Sequence, residues 1–133
     1  MNKQKGFTII ELIVVIAIIA VLAAIVMVNV TKYITQGKDA SIKGNMSSMT
    51  TIAAAFYDNH TSSYNAIETA DPAFAAGITA IDGANGANNV IAHSITNGFC
   101  VQSQLNDGST WCVDSTGYKG ATNNCDVVLA TCQ

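Results

Sequence analysis

Between Phe7 and Val30 the chain is apolar except at Thr8, Glu11 and Asn29, and the run from Leu12 to Val28 is uninterrupted. With its flanks this run supplies about the 20 residues that a membrane-crossing helix needs. From Thr31 to about Asn59 the pattern changes. Ile42, Met46, Met49, Ala53 and Phe56 recur at steps of four and three, which predicts one apolar stripe on a helix. No proline separates the two stretches, so they read as one continuous helix of about 50 residues, roughly 75 Å long. Gly37 and Gly44 mark its weakest points.

From His60 onward the pattern shortens. Asp71-Pro72 predicts one short helical turn, with Asp71 as cap and Pro72 at the first position. Asp82-Gly83 and Asn85-Gly86 are turn dipeptides, which predict a loop. Val90 to Ile95, Phe99 to Gln104 and Thr110 to Asp114 read as strands, and Leu105-Asn106-Asp107-Gly108 supplies a hairpin turn. The expected register sets Val101 opposite Trp111 and Phe99 opposite Val113 on one face. Cys100 then stands opposite Cys112 on the other, where a cross-strand bridge could form. The expected fold is α+β, a long N-terminal helix whose second half packs against a small antiparallel sheet.

Composition changes this picture in two ways. Half of the 133 residues are hydrophobic and 11% are charged, and the excess is confined to the N-terminal run. Arginine is absent, and five of six lysines precede residue 60. Beyond it Glu68, Asp71, Asp82, Asp107, Asp114 and Asp126 face only Lys119. Nucleic-acid affinity comes largely from clustered Lys and Arg, so no direct nucleic-acid binding is expected. The four cysteines, Cys100, Cys112, Cys125 and Cys132, lie in a small polar module, the pattern of disulfides in an oxidising compartment. With His60 and His93 as the only histidines and no C-x-x-C pair, neither a metal nor a cofactor is expected. No nucleophile motif emerges, so the chain does not read as an enzyme.

The segment Lys5-Gly6-Phe7-Thr8-Ile9-Ile10-Glu11-Leu12-Ile13-Val14-Val15 resembles the signature of type IV pilins and pseudopilins. In that family a basic leader ends in glycine, phenylalanine usually follows, and a glutamate stands four positions later in an apolar helix. The resemblance is tight over roughly the first 30 residues and loose beyond. It implies that a prepilin peptidase cuts between Gly6 and Phe7 and N-methylates Phe7. An acid in a spanning segment costs about 2.5–3.5 kcal/mol on insertion scales, so it needs a use. The resemblance gives Glu11 that use, pairing with the Phe7 amine of a neighbouring subunit. It also implies a homo-oligomeric filament with other pilins and an inner-membrane assembly platform.

A conventional secretory signal is the competing reading, since Ala20 to Ala24 holds a small-residue site. Such signals have apolar cores of about 7–15 residues without an acid, which this run exceeds. The expected organisation is a leader at 1–6, a membrane and filament-core helix at 7–30, its amphipathic continuation at 31–59 and a disulfide-containing β head at 60–133. Lys3 and Lys5 orient the leader to the cytoplasm and the C-terminus outside.

Four cysteines allow three pairings. Cys100–Cys112 and Cys125–Cys132 are favoured because both are local, and the second closes a C-terminal loop like that of many pilins. The chain departs from the family at Val28, where many members have proline, and at Ala20, where many have glycine. The expected function is a structural subunit of a type IV pilus or of a related secretion or competence pseudopilus. A minor pilin at a filament tip and a monomeric membrane-anchored binding domain are the alternatives.

Overall fold

A computed structural model of the chain describes residues 6–86, 89–122 and 124–133, and at Val28 the backbone alone. The leader residues Met1 to Lys5, with the lysines expected to orient it, lie outside the described residues. The chain divides into two compact units, Met1–Ile34 and Thr35–Gln133.

One helix, α1 (Ile9–Asn59), runs unbroken through 51 residues, including Gly37, Gly44 and position 28. Its polar side chains bond back onto the ladder instead of competing with it. Thr31 Oγ1 donates to Met27 O at 3.0 Å and Ser48 Oγ to Gly44 O at 3.1 Å. The helix stops where Thr61 and Ser62 enter the left-handed region (φ 54° and 57°). There the Ser62 N–H caps Tyr57 O at 3.1 Å.

In the second unit the predicted stripe is the core-facing line of α1. Ile42, Met46, Met49, Ala53 and Phe56 are all buried, against Phe99, Val101 and Val113 of the sheet. Two further helices follow, α2 (Ile67–Ala70) and α3 (Pro72–Asn85). A four-stranded antiparallel sheet comes next, in the order β1 (Ile91–Ile95), β2 (Gly98–Gln104), β3 (Thr110–Asp114), β4 (Lys119–Ala121). A C-terminal hairpin, β5 (Cys125–Asp126) and β6 (Thr131–Cys132), completes the fold. The fold is α+β, as expected.

The region 60–133 is not a purely β head, because the single turn expected at Asp71-Pro72 is a 14-residue helix. Asp71 caps it, Oδ1 accepting from the Ala73 and Phe74 N–H groups at 2.8 and 2.9 Å. Asp82-Gly83 lies inside the helix rather than in a loop. Gly86 (φ 72°) is its C-cap, donating to Asp82 O. The stretch is rich in alanine, and Phe74, Ile78 and Ile81 repeat at helical spacing, which outweighs two glycines.

Gly77 is required by packing. A Cβ there would stand 2.9 Å from Met49 Cγ and 3.1 Å from Met49 Sδ. Gly77→Val should therefore destabilise the fold by about 1–3 kcal/mol, the usual cost of overpacking. The urea midpoint of the detergent-solubilised chain measures it.

The β2–β3 register differs from expectation by two residues. Val101 faces Val113, Ser103 faces Trp111, Gln102 faces Cys112 and Cys100 faces Asp114. A shift of two preserves the faces, so Phe99, Val101, Trp111 and Val113 still share the helix side. The loop is wider than a four-residue turn. Leu105 N–H reaches Ser109 O at 2.7 Å, and Gly108 (φ 88°) donates to Leu105 O at 3.1 Å. Asp39 of α1 holds this loop, accepting from Asn106 N and Nδ2 at 2.7 and 2.9 Å.

The favoured disulfide pairing is overturned. The bonds are Cys100–Cys125 and Cys112–Cys132, with Cα separations of 5.8 and 5.9 Å. The observed register leaves Cys100 and Cys112 out of opposition. Cys125 and Cys132 are direct partners in the β5–β6 hairpin, but that hairpin lies against the outer face of the sheet. Each of its cysteines bonds the sheet cysteine there.

Candidate processing and assembly site

The first unit is the N-terminal part of α1, and it buries none of its large apolar side chains among the described residues. Every large apolar side chain described from Phe7 to Ile34 is exposed, Phe7 most of all at 86%. By length and composition the segment is able to cross a membrane, and its most apolar window is 0% buried. Such a surface is stable only in lipid or against other apolar helices.

Helix α1 begins with a reciprocal cap. The Thr8 N–H and hydroxyl both donate to Glu11 Oε2 at 2.8 Å, and the Glu11 N–H donates to Thr8 Oγ1 at 3.3 Å. This is a capping box, which satisfies amide groups that the first turn cannot pair internally. Leu12 N–H then bonds Thr8 O at 3.2 Å, the first bond of the regular ladder. Thr8 escaped the sequence reading, which singled out Glu11 alone. The Thr-x-x-Glu spacing carried the signal.

Phe7 and Glu11 are brought together. With Ile10, Val14 and Val15 they line one shallow concavity of about 330 Å³. Glu11 supplies the carboxylate at the edge of this apolar surface. Gly6 lies just before the helix, and a Cβ added to it would meet nothing within 4 Å. Among the described residues, nothing in the packing requires glycine there.

The cysteines form a separate cluster in the second unit with Ala130 and Ile95. Two polar side chains of the sheet reinforce the bonds there. Gln102 Oε1 accepts the Cys125 N–H at 2.6 Å, and Asp114 Oδ2 accepts the Cys132 N–H at 2.9 Å. Asp114, itself buried, also accepts through Oδ1 from Thr116 N, Thr116 Oγ1 and Tyr118 N.

Asp107 and Asp126 work in their own turns, while Glu68 accepts from Ser94 Oγ and Asp82 from the Val90 N–H. Asp107 accepts from Ser109 N and Oγ. Asp126 accepts from Val128 and Leu129. Among the described residues no group of three His, Cys, Asp or Glu side chains is placed to hold a metal ion.

The amides of Leu129 and Val128 hold the Asp126 carboxyl below the usual range, with a smaller contribution from His93. A depressed folded value means that this stabilisation is complete above the ordinary carboxylate pKa of about 3.9. It is lost as pH falls through the lowered value. A carboxyl NMR titration should place the Asp126 midpoint below that of an unstructured aspartate.

Residues 1–27 match the family model described as the prokaryotic N-terminal methylation motif, the type IV prepilin signature. No curated protein and no solved structure matches the chain.

Proposed function

We propose that this chain, a type IV pilin-like protein by the prepilin signature at residues 1–27, is a structural subunit that polymerises through its N-terminal helix. The filament is a type IV pilus or a related secretion or competence pseudopilus. The observation that carries the reading is the conjunction of that signature with an apolar helical segment, Phe7 to Ile34, whose large side chains stand exposed.

In this reading the chain is made with its leader on the cytoplasmic side of the inner membrane and its disulfide-bonded head outside. A prepilin peptidase cuts between Gly6 and Phe7. The open space around Gly6 supports this, because the need for a residue without a side chain then comes from the protease. Cleavage turns the Phe7 N–H into a cationic amine, which the peptidase methylates. Extraction into the filament exchanges lipid for neighbouring helices around Phe7 to Ile34. Within that bundle Glu11 pairs with the Phe7 amine of an adjacent copy. A misplaced neighbour would leave a buried charge unpaired, so the pair fixes register.

Intact-mass analysis of the membrane-extracted protein, with negative-stain microscopy of sheared material, tests the proposal. The expected mass lacks Met1 to Gly6, gains one methyl group and lacks the four hydrogens of two disulfides, and filaments are seen. Retention of the leader, or an N-terminus near Ala24, would sink it.

A further inference from the structure

We propose that this chain is the substrate of a disulfide isomerase, a dithiol enzyme that converts a locally bridged form, Cys100–Cys112 with Cys125–Cys132, into the native Cys100–Cys125 and Cys112–Cys132. The inference goes beyond the polymer reading above and takes from it only the head's place on the oxidising side of the membrane.

The native bonds interleave along the chain, the first cysteine joined to the third and the second to the fourth. They span 25 and 20 residues, and both local bonds close shorter loops. Closure cost rises with loop length, so an unstructured chain forms the local bonds faster. Export in the proposed orientation adds to this bias, because Cys100 and Cys112 reach the oxidising side before Cys125 and Cys132 do.

Local structure favours the same non-native bonds. In the β5–β6 hairpin Cys125 and Cys132 are direct partners across the ladder. In the β2–β3 hairpin Gln102 faces Cys112 and Cys100 faces Asp114. A slip of two residues sets Cys100 opposite Cys112 and keeps every side chain on its own face. What pins the native register lies outside that hairpin, since Asp39 of α1 holds the connecting loop through Asn106 N and Nδ2. The ties that seat the second hairpin likewise need the folded sheet. They run from the Cys125 N–H to Gln102 Oε1 and from the Cys132 N–H to Asp114 Oδ2. Each local bond can thus form from one hairpin alone, and each native bond needs both.

Once both local bonds exist, all four cysteines are consumed and the chain holds no thiol. Exchange begins only with a thiolate, so the attacking group must come from another molecule. The isomerase thiolate attacks Cys112 Sγ, forming a mixed disulfide and releasing Cys100 as a thiolate. Cys100 attacks Cys125 Sγ and releases Cys132. Cys132 then attacks Cys112 Sγ and returns the enzyme thiolate. Two bonds of the chain break and two form, with no net oxidation and no net transfer of protons. The product is shielded from further exchange, because Cys100, Cys112 and Cys125 are buried and Cys132 alone is partly exposed.

The full chain, reduced and unfolded in urea, then diluted into detergent micelles and oxidised with diamide, provides the test. Diamide leaves no small thiol to catalyse exchange, and it is removed before a catalytic amount of reduced isomerase is added. Proteolysis on the N-terminal side of Asp107, Asp114 and Asp126 puts the four cysteines on separate peptides, so mass analysis without reduction reads the pairing. The local pair should predominate after diamide and persist with an alkylated isomerase. Active isomerase should replace it with the interleaved pair at least about tenfold faster, within the range from hours to seconds over which such enzymes move reshuffling. Interleaved bonds as the main product of diamide alone, or local bonds that survive active isomerase, overturn the proposal. Polymer formation enters neither arm, so either result leaves the polymer reading where it stands.

Discussion

Glu11→Gln in the full chain will leave cleavage after Gly6 intact and abolish polymer. The choice of glutamine matters, because in the proposed polymer Glu11 would serve both as a cap at the start of α1 and as a charge partner for a neighbour. Its Oε2 accepts from the Thr8 N–H and hydroxyl, both at 2.8 Å. A glutamine oxygen can accept the same two bonds, and Gln serves in capping boxes as Glu does. Glu11→Gln therefore removes the charge and keeps the cap, whereas Glu11→Ala removes both. If pairing with a neighbour's Phe7 amine fixes the polymer, the two variants should fail alike. Leaving one partner of a buried pair uncompensated costs about 3–5 kcal/mol. At 1.4 kcal/mol per factor of ten, that is a loss of roughly 150- to 4,000-fold at each contact. Thr8→Val, which removes the hydroxyl and keeps the charge, should assemble far better than either. Mass analysis of the N-terminus and microscopy of sheared filaments read the two steps separately. Wild-type polymer from Glu11→Gln would end the charge-pair account and leave the cap as the role of Glu11.

What could be read from the sequence divides along a physical line. The course of α1 was legible because it depends on local properties, a long apolar run and then a 3.6-residue repeat through Ile42, Met46, Met49, Ala53 and Phe56. The three longest strands were legible as short runs bounded by turn signals. Helix α3 was misjudged because Asp82-Gly83 looked like a turn, whereas it lies inside the helix. The helix's approach to Met49 at Gly77 is a contact that no local window contains. The hairpin register was missed by two residues because Asp39, 67 positions away from Asn106, holds the loop in its wider form. The prepilin signature at residues 1–27 was legible for a similar reason of locality. Gly6, Phe7 and Glu11 lie within six positions, and only Thr8 was overlooked. The disulfide pairing was the reverse case. It depends on which surface the C-terminal hairpin covers, and nothing in the spacing of four cysteines encodes that.

The pairing itself has a large and distinctive consequence. Cys112→Ala with Cys132→Ala should leave Cys100–Cys125 intact and yield no free thiol. Cys100→Ala with Cys112→Ala should leave Cys125 and Cys132 both without their native partners. Had the bridges been local, that second variant would have kept one of them. Thiol counting on the denatured, unreduced protein distinguishes the two arrangements. The energetic cost should be large in either case. A bridge closing a loop of 20 to 25 residues contributes about 3 kcal/mol by chain entropy. A domain of about this size has only some 5–15 kcal/mol in all.

The loss should also be local in structure. The bridges hold the β5–β6 hairpin onto the sheet, where Gln102 and Asp114 each accept one of its cysteine N–H groups. With Cys112–Cys132 gone, the Cys132 N–H bond to Asp114 is the nearest remaining tie. Asp114→Ala added to that variant should therefore cost more than it does in the wild type, because each tie holds the hairpin while the other is absent. A double-mutant cycle on urea midpoints measures the difference. Equal costs in both backgrounds would mean that the hairpin is held to the sheet by packing around Ala130 and Ile95 rather than by these two ties.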